Sequence, residues 1–445
     1  MRLIPGRAGR RAVPFLVVLY ASVVLLPLAL AAFQGRPAGP GFGMAFGAAI
    51  GLIAFPLIAV QLGLVARLKS VSRMLGVDAL LQFHRAMGCA ALALAAAHAL
   101  LFAWHGTGVS SLSPLRGGAL TRTGALALWL LVLLVVTSLA RRRLRLSYET
   151  WNLLHLLAAL GIVGAMLAHV LLAGGAAAPL ARGVFMGYAT AAGAMLAWHR
   201  LGRPALMWFS PWVVAENRDE GADTRTLRVC PDGQPGIGFQ DGQFAWLCTA
   251  RQPFFTQQHP VTISCSASRE VGGCLEFTIK ALGDWSGRVV PSLANGDRIW
   301  LDGPYGAVSP ARFDCPGLVL IAGGIGISPM RSILLTMRDS GDRRSVYLFY
   351  AANDRSRTVF AGELESLTRE LDLSLVYVLE EPAPGSGDES GYVSADLMRR
   401  HLPDDFPRFH YFVCGPVPMM KSVDRQLLAM GVPESHVHSE RFDVV

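Results

Sequence analysis

Roughly the first 200 residues are broken into apolar runs long enough to cross a lipid bilayer, and this restricts the possible folds more than any other feature. A span needs about 20 apolar residues to cover roughly 30 Å of hydrocarbon. Six stretches qualify: Val13 to Phe33, Phe42 to Val65, Leu80 to Ala103, Gly124 to Ala140, Thr150 to Ala173 and Gly183 to Trp198, the fourth and sixth being short. Backbone polar groups in lipid must be satisfied within their own segment, so the runs read as a six-helix transmembrane bundle. Arg2, Arg7, Arg10 and Arg11 precede the first run as they would a signal peptide. Its apolar length exceeds the usual core of about 7 to 15 residues, so it is read as a retained span.

The formal net charge of +8 does not point to nucleic acid, because the excess Arg sits in short clusters between apolar runs rather than in a basic stripe. Arg2, Arg7, Arg10 and Arg11, then Arg67, Lys69 and Arg73, then Arg141, Arg142, Arg143 and Arg145, then Arg200 and Arg203 fall on one side. The opposite loops carry only Arg36, Arg116, Arg122 and Arg182. Positive charge stays inside, so the N-terminus and everything after the sixth span are expected in the cytoplasm, with a multi-pass protein in a bacterial-type inner (plasma) membrane. Six of the seven Cys lie in the soluble half without zinc-like or regular disulfide spacing, and are read as reduced. Cys89, within a span, is read as a small packing residue.

An ionisable or metal-binding side chain within a span is costly and marks function. His84 and His98 lie 14 residues apart on the third span, and His155 and His169 repeat that interval on the fifth. Fourteen residues is close to four helical turns, so each pair shares one face with about 21 Å between its members. Both spans run outward, matching His84 with His155 in depth near the inner side and His98 with His169 near the outer. Two imidazoles facing each other across a bundle supply both axial ligands of a haem iron and leave no open position for substrate, which suits electron transfer. A lone histidine would be a hydrogen-bonded packing residue, but two equal intervals on parallel spans make that a coincidence. Arg85 and the Arg141 to Arg145 cluster read either as partners of inner haem propionates or as membrane anchors, while His105 and His199 have no counterpart.

Beyond Arg203 the chain changes character. Thr226-Leu227-Arg228-Val229 alternates, with turns at Asp232-Gly233 and Asp241-Gly242, suggesting a small antiparallel barrel. It carries His259-Pro260-Val261-Thr262-Ile263 and then Gly283-Asp284-Trp285-Ser286-Gly287, which opens a short helix offering free amides to a pyrophosphate. From Gly317 an α/β pattern begins: Leu318-Val319-Leu320-Ile321 reads as a buried parallel strand feeding Gly323, Gly324, Gly326, Ser328 and Pro329 and a helix from about Met330. Further strands fit Ser345 to Tyr350, Leu373 to Leu379 and His410 to Val413. The last runs into Cys414, Gly415 and Pro416 at the carboxyl edge, where such sheets bind ligands. The domains are drawn at 1–204, 205–312 and 313–445.

The ordered combination of paired histidines on the third and fifth spans, HPVTI with GDWS, and GGIGISPM with CGPVPMM resembles the ferric reductase and NADPH oxidase superfamily over nearly the whole chain. The resemblance implies that His259, Pro260, Val261 and Thr262 hold FAD, with Thr262 near the isoalloxazine edge, and that Gly283, Trp285 and Ser286 embrace its pyrophosphate. It implies that Gly323, Gly324, Gly326, Ser328 and Pro329 shape the nucleotide loop, and that Cys414, Gly415 and Pro416 sit beside the nicotinamide. A terminal aromatic shields the flavin in that family; Phe442 is the candidate here, although three residues follow it. Arg355 or Arg357 would neutralise the 2′-phosphate of NADPH, while Asp354 is available to read the 2′-hydroxyl of NADH; NADPH is the expected coenzyme.

The implied activity moves electrons from cytoplasmic NAD(P)H through FAD and two b-type haems to an outer acceptor. Oxygen is expected, giving superoxide, because the loop from His105 to Thr121 lacks an acidic or Cys cluster for metal chelates. A ferric or cupric chelate is the alternative, and an outer electron-acceptor protein remains open. A rival of another class is a membrane regulator whose soluble half senses nucleotide without electron transfer; it would show no haem spectrum.

Overall fold

A computed structural model of the chain describes residues 7–33, 41–66, 69–173, 179–254, 257–268, 273–306 and 309–439. Two compact units emerge, one of Arg11–Leu68 with Ala79–Arg200, the other of Lys69–Asp78 with Leu201–Val445. The helices begin with α1 (Arg7–Phe33), α2 (Phe42–Leu64), the short α3 (Lys69–Leu75), α4 (Val77–Phe102), α5 (Ala119–Leu139), α6 (Tyr148–Leu172) and α7 (Pro179–Ala197). Among the described residues five helical segments are long and apolar enough to cross a membrane: Val13–Phe33, Phe42–Leu64, Ala79–Thr107, Ala119–Leu139 and Thr150–Leu172. The fourth begins a turn before Gly124, because Thr121 and Thr123 return their hydroxyls to the carbonyls of Gly118 and Ala119 and so remain within the helix. Val24, Leu57, Ala91, Leu131, Val135 and Ile162 form the centre of this unit. Cys89 does not pack there; it is exposed on α4.

Residues 69–78, expected as a loop of the membrane domain, belong to the second unit: Lys69 Nζ donates to the Gly303 carbonyl at 2.5 Å, and Val77 packs on Phe244, Trp246 and Tyr305. In α8 (Arg203–Trp208), Arg203 donates to Asp302 Oδ1 at 2.7 Å and to the Tyr305 hydroxyl. This cation, counted above with the membrane-side cluster, is buried in an ion pair.

Strands β1 (Trp212–Gly221), β2 (Thr224–Pro231), β3 (Phe244–Cys248), β4 (His259–Thr262), β5 (Leu275–Lys280) and β6 (Arg298–Tyr305) pair antiparallel in the order β4-β3-β6-β1-β2-β5. A bridge between Ile263 and Phe277 links the two ends. The period of two turns Leu227 and Val229 inward with Trp212, Phe277 and Ile299. Cys230 and Cys274 form a disulfide, which corrects the reading of every cysteine as reduced. The register pairs Val229 with Leu275, so the next residues outward stand side by side although 44 positions separate them, and spacing alone carries no sign of this.

The short α9 (Val290–Ser292) precedes β6. Then β7 (Gly317–Gly323), α10 (Ile327–Ser340), β8 (Ser345–Ala352), α11 (Ala361–Leu367), β9 (Leu373–Leu379), β10 (Glu389–Ser390), α12 (Ala395–His401), β11 (His410–Cys414), α13 (Val417–Ala429) and β12 (Val437–Ser439) build a second sheet. Its pairings are all parallel, in the order β10-β9-β8-β7-β11-β12. Every residue of β7 is buried, because α10 and α11 cover one face and α12 and α13 the other.

Candidate functional site

The membrane unit brings the four histidines together in two pairs. The ring centroids of His84 and His155 are 6.2 Å apart, and those of His98 and His169 6.1 Å. Two metal–imidazole bonds of about 2 Å each, with two ring radii of about 1.2 Å, put the centroids of a shared metal's ligands roughly 6.4 Å apart. Both pairs therefore fit an iron between them. Two facing imidazoles are the donor set that a group bringing its own equatorial ligands, such as a haem, would use.

Hydrogen bonds orient the rings. His98 Nδ1 donates to the Gly47 carbonyl and His169 Nδ1 to the Leu120 carbonyl, each at 2.8 Å, so each Nε2 keeps its lone pair. His155 Nδ1 meets Ser138 Oγ at 3.2 Å, and the same oxygen accepts from Trp151 Nε1. His84 Nδ1 faces the Gln61 backbone without satisfactory hydrogen-bond geometry. The Arg141 guanidinium lies 5.4 Å over the Trp151 ring, which is 5.2 Å from His155.

On the antiparallel sheet, His259 stacks on Trp285 with centroids 3.9 Å apart and planes 9° from parallel, joining the two sequence motifs. Trp285 Nε1 donates to Thr249 Oγ1 at 2.9 Å. Pro260 is half-buried opposite Trp246, Thr262 is buried opposite Phe244, and Val261 faces the core of the antiparallel sheet, leaving its backbone as its contribution. The amides of Leu282 and Gly283 differ from expectation. Both donate to Ser286 Oγ, at 2.9 and 3.0 Å, because a hydroxyl so near in sequence closes a local turn more readily than it stands free.

The nucleotide loop and the Cys414 turn meet backbone to backbone. A Cβ on Gly326 would collide with the Cys414 carbonyl, and one on Gly415 would stand 3.0 Å from Gly323 Cα. Gly323 also faces Pro416 and Met419. Gly324, at φ +53°, has open space where a side chain would be. Pro329 is accommodated in the first turn of α10, where a missing N–H breaks no helical bond. Ser328 Oγ is buried at the start of that helix and has no hydrogen-bond partner among the described residues, as an oxygen reserved for a phosphate would be. Arg355 is not open: it pairs with Glu365 and with Asp388 at 3.4 Å, and lies 3.4 Å over the Tyr377 ring. Arg357 pairs with Asp223 at 3.1 Å, and Asp354 accepts from the Ser356 amide. Phe442 lies outside the described residues.

Sequence reasoning missed the hub joining the two soluble motifs. Arg331 on α10 binds Glu276 of β5 at 2.7 Å, Glu363 of α11 at 2.5 Å and the Ser264 carbonyl at 3.0 Å. Ser332 and Thr336 add bonds to the Cys265 carbonyl and the Ala267 amide. An Arg set among Met330, Ile333, Leu334 and Leu335 on the buried face of α10 was the available signal.

Residues 50–166 match the family model of the ferric reductase like transmembrane component, and residues 320–425 that of the oxidoreductase NAD-binding domain. The chain thus joins a region similar to the first, in one fusion, to a region similar to the second. The chain is 30% identical over 228 residues to the propane 2-monooxygenase reductase component of Rhodococcus jostii, covering 49% of this chain and 60% of the relative. It is 28% identical over 187 residues to NADH-cytochrome b5 reductase 1 of Aspergillus terreus, covering 40% and 63%. The fusion thus spans about three fifths of the length of these relatives. The FAD/NAD-binding domain of a Vibrio cholerae nitric oxide dioxygenase is similar at 24% identity and a TM-score of 0.46, over 52% of this chain and 97% of that one.

Proposed function

We propose that the fusion is a six-span oxidoreductase that moves electrons from cytoplasmic NAD(P)H, by way of FAD and two b-type haems, to an acceptor on the outer side of the inner membrane. The facing distance of both histidine pairs carries this reading; His84, His98 and His155 lie within the ferric-reductase-like region, and His169 three residues beyond it. Haems would supply reversible one-electron chemistry; the chain's part is to present four imidazoles, three of them, His98, His155 and His169, oriented by their Nδ1 contacts. In the soluble half, His259, Pro260, Thr262 and Trp285 line the flavin site, while Gly324, Ser328 and the α10 N-terminus receive the coenzyme phosphates beside Cys414. Val261 and Gly283 act through their backbones. The sixth span is α7, whose 19 residues extend about 28 Å and whose Phe185 packs on Phe55 of α2.

Oxygen is the proposed acceptor: one coenzyme supplies two electrons and reduces two oxygen molecules to superoxide, with one proton released. The match to a ferric-reductase-like component favours a second reading, reduction of a ferric chelate. A reduced-minus-oxidised spectrum before and after NADH or NADPH tests the route, and absence of a haem signal defeats it. Cytochrome c reduction inhibited by superoxide dismutase, set against ferrozine-detected ferrous iron, separates the acceptors.

A further inference from the structure

The outer pair of histidines leans on two glycines in a way the inner pair does not. His98 Nδ1 donates to the carbonyl of Gly47, and Gly51 follows one turn later on α2. His169 Nδ1 donates to the carbonyl of Leu120, and Gly124 follows one turn later on α5. In a helix a carbonyl at i accepts from the amide at i+4, so the Gly47 and Leu120 oxygens are already bonded along the helix and offer the imidazole only their second lone pair. A ring reaching that lone pair from the side passes over the residue at i+4. A Cβ on Gly51 would stand 2.7 Å from His98 Nδ1, and one on Gly124 would stand 2.8 Å from His169 Nδ1 and 2.8 Å from its Cε1. No real Cβ contact is that short, and neither ring can swing away without losing its Nδ1 bond. Among the described glycines none approaches the rings of His84 or His155 so closely.

We propose that Gly51 and Gly124 are positioning residues for the outer haem: by lacking a Cβ they let His98 and His169 each bind a helical carbonyl through Nδ1 and turn Nε2 toward the iron. This rests on the haem reading above. The same device occurs twice, once between α2 and α4 and once between α5 and α6, and it acts on the outer site alone. An imidazole fixed in this way is also a more basic ligand, so the device sets the potential of the outer site as well as its occupancy.

The test uses the full-length chain with Gly51→Ala and Gly124→Ala, and Gly187→Ala as control, an exposed α7 position where a Cβ meets nothing within 4 Å. Haem-to-flavin ratio, potentiometric titration and flavin reduction by coenzyme are read together. In each Ala variant the outer component is expected either to disappear, halving the haem-to-flavin ratio, or to change its midpoint potential. The inner component, the flavin reduction and the control should stay unchanged. Two haems with both potentials unaltered in both variants would overturn the proposal, as would an equal loss from both sites. A wild-type protein without haem would instead sink the reading beneath it.

Discussion

Arg331 and Glu276 meet at 2.7 Å with both side chains nearly sealed from solvent, tying the helix after the nucleotide loop to a strand of the antiparallel sheet. Removing one partner of a buried pair leaves an uncompensated charge, which costs about 3–5 kcal/mol, whereas replacing both by neutral groups costs much less. Arg331→Met is therefore expected to destabilise the protein by that amount, and adding Glu276→Gln to recover part of it, since Glu363 and the Ser264 carbonyl still lose their partner. A double-mutant cycle in denaturant unfolding measures the coupling; strictly additive effects would show that the pair does not act as a unit.

Replacing His98 or His169 by Leu removes one donor of the outer pair, leaving the soluble sites untouched. Flavin reduction by coenzyme should continue at the wild-type rate while reduction of an outer acceptor falls to background. Stopped-flow absorbance and an acceptor assay on sealed vesicles report the two rates, and undiminished outward reduction would defeat the route.

The coenzyme's 2′-phosphate would meet Arg355 only after displacing Glu365 and Asp388. Exposed pairs of this kind are worth up to about 1 kcal/mol. Glu365→Gln with Asp388→Asn should raise kcat/KM for NADPH relative to NADH by roughly five-fold, about 1 kcal/mol. An unchanged ratio would place the 2′-position elsewhere.

His438 on β12 gives its neighbourhood an acid-sensitive edge. Burial, reinforced by repulsion from His410 and His436, holds its pKa down at about 3 from 6.5. His410 Nδ1 lies 2.8 Å from its Nε2, and Phe313 stacks on its ring. Below pH 6.5 the unfolded chain takes up a proton that the folded chain refuses until about pH 3. The stability is thus complete above pH 6.5 and is lost as pH falls, at up to about 1.4 kcal/mol per pH unit. His438→Gln should flatten that dependence in unfolding measured between about pH 7 and 5. An identical slope would assign the acid sensitivity to other groups.

Local pattern accounts for what could be read early. Apolar length announced the spans, the repeated 14-residue interval announced the histidine faces, and a buried strand running into Gly323, Gly324 and Gly326 announced the nucleotide loop. Each is written in neighbouring residues, so helical and strand periodicity exposes it. The boundaries were less legible: α5 starts early because two Thr hydroxyls bond within the helix, and residues 69–78 belong to the second unit because Lys69 and Val77 find partners there.

The sequence by itself determined which elements form and which side chains they offer: membrane helices, an antiparallel sheet, a parallel sheet and four in-span histidines. Only the tertiary structure decided that the histidine rings face at about 6 Å, that glycines seat the outer two, that Arg331 locks two motifs together and that Cys230 bonds Cys274. The reason is separation along the chain. His98 and Gly47 are 51 residues apart, His169 and Leu120 are 49, and Arg331 and Glu276 are 55; contacts between such distant positions leave no periodic trace and arise only when whole elements pack.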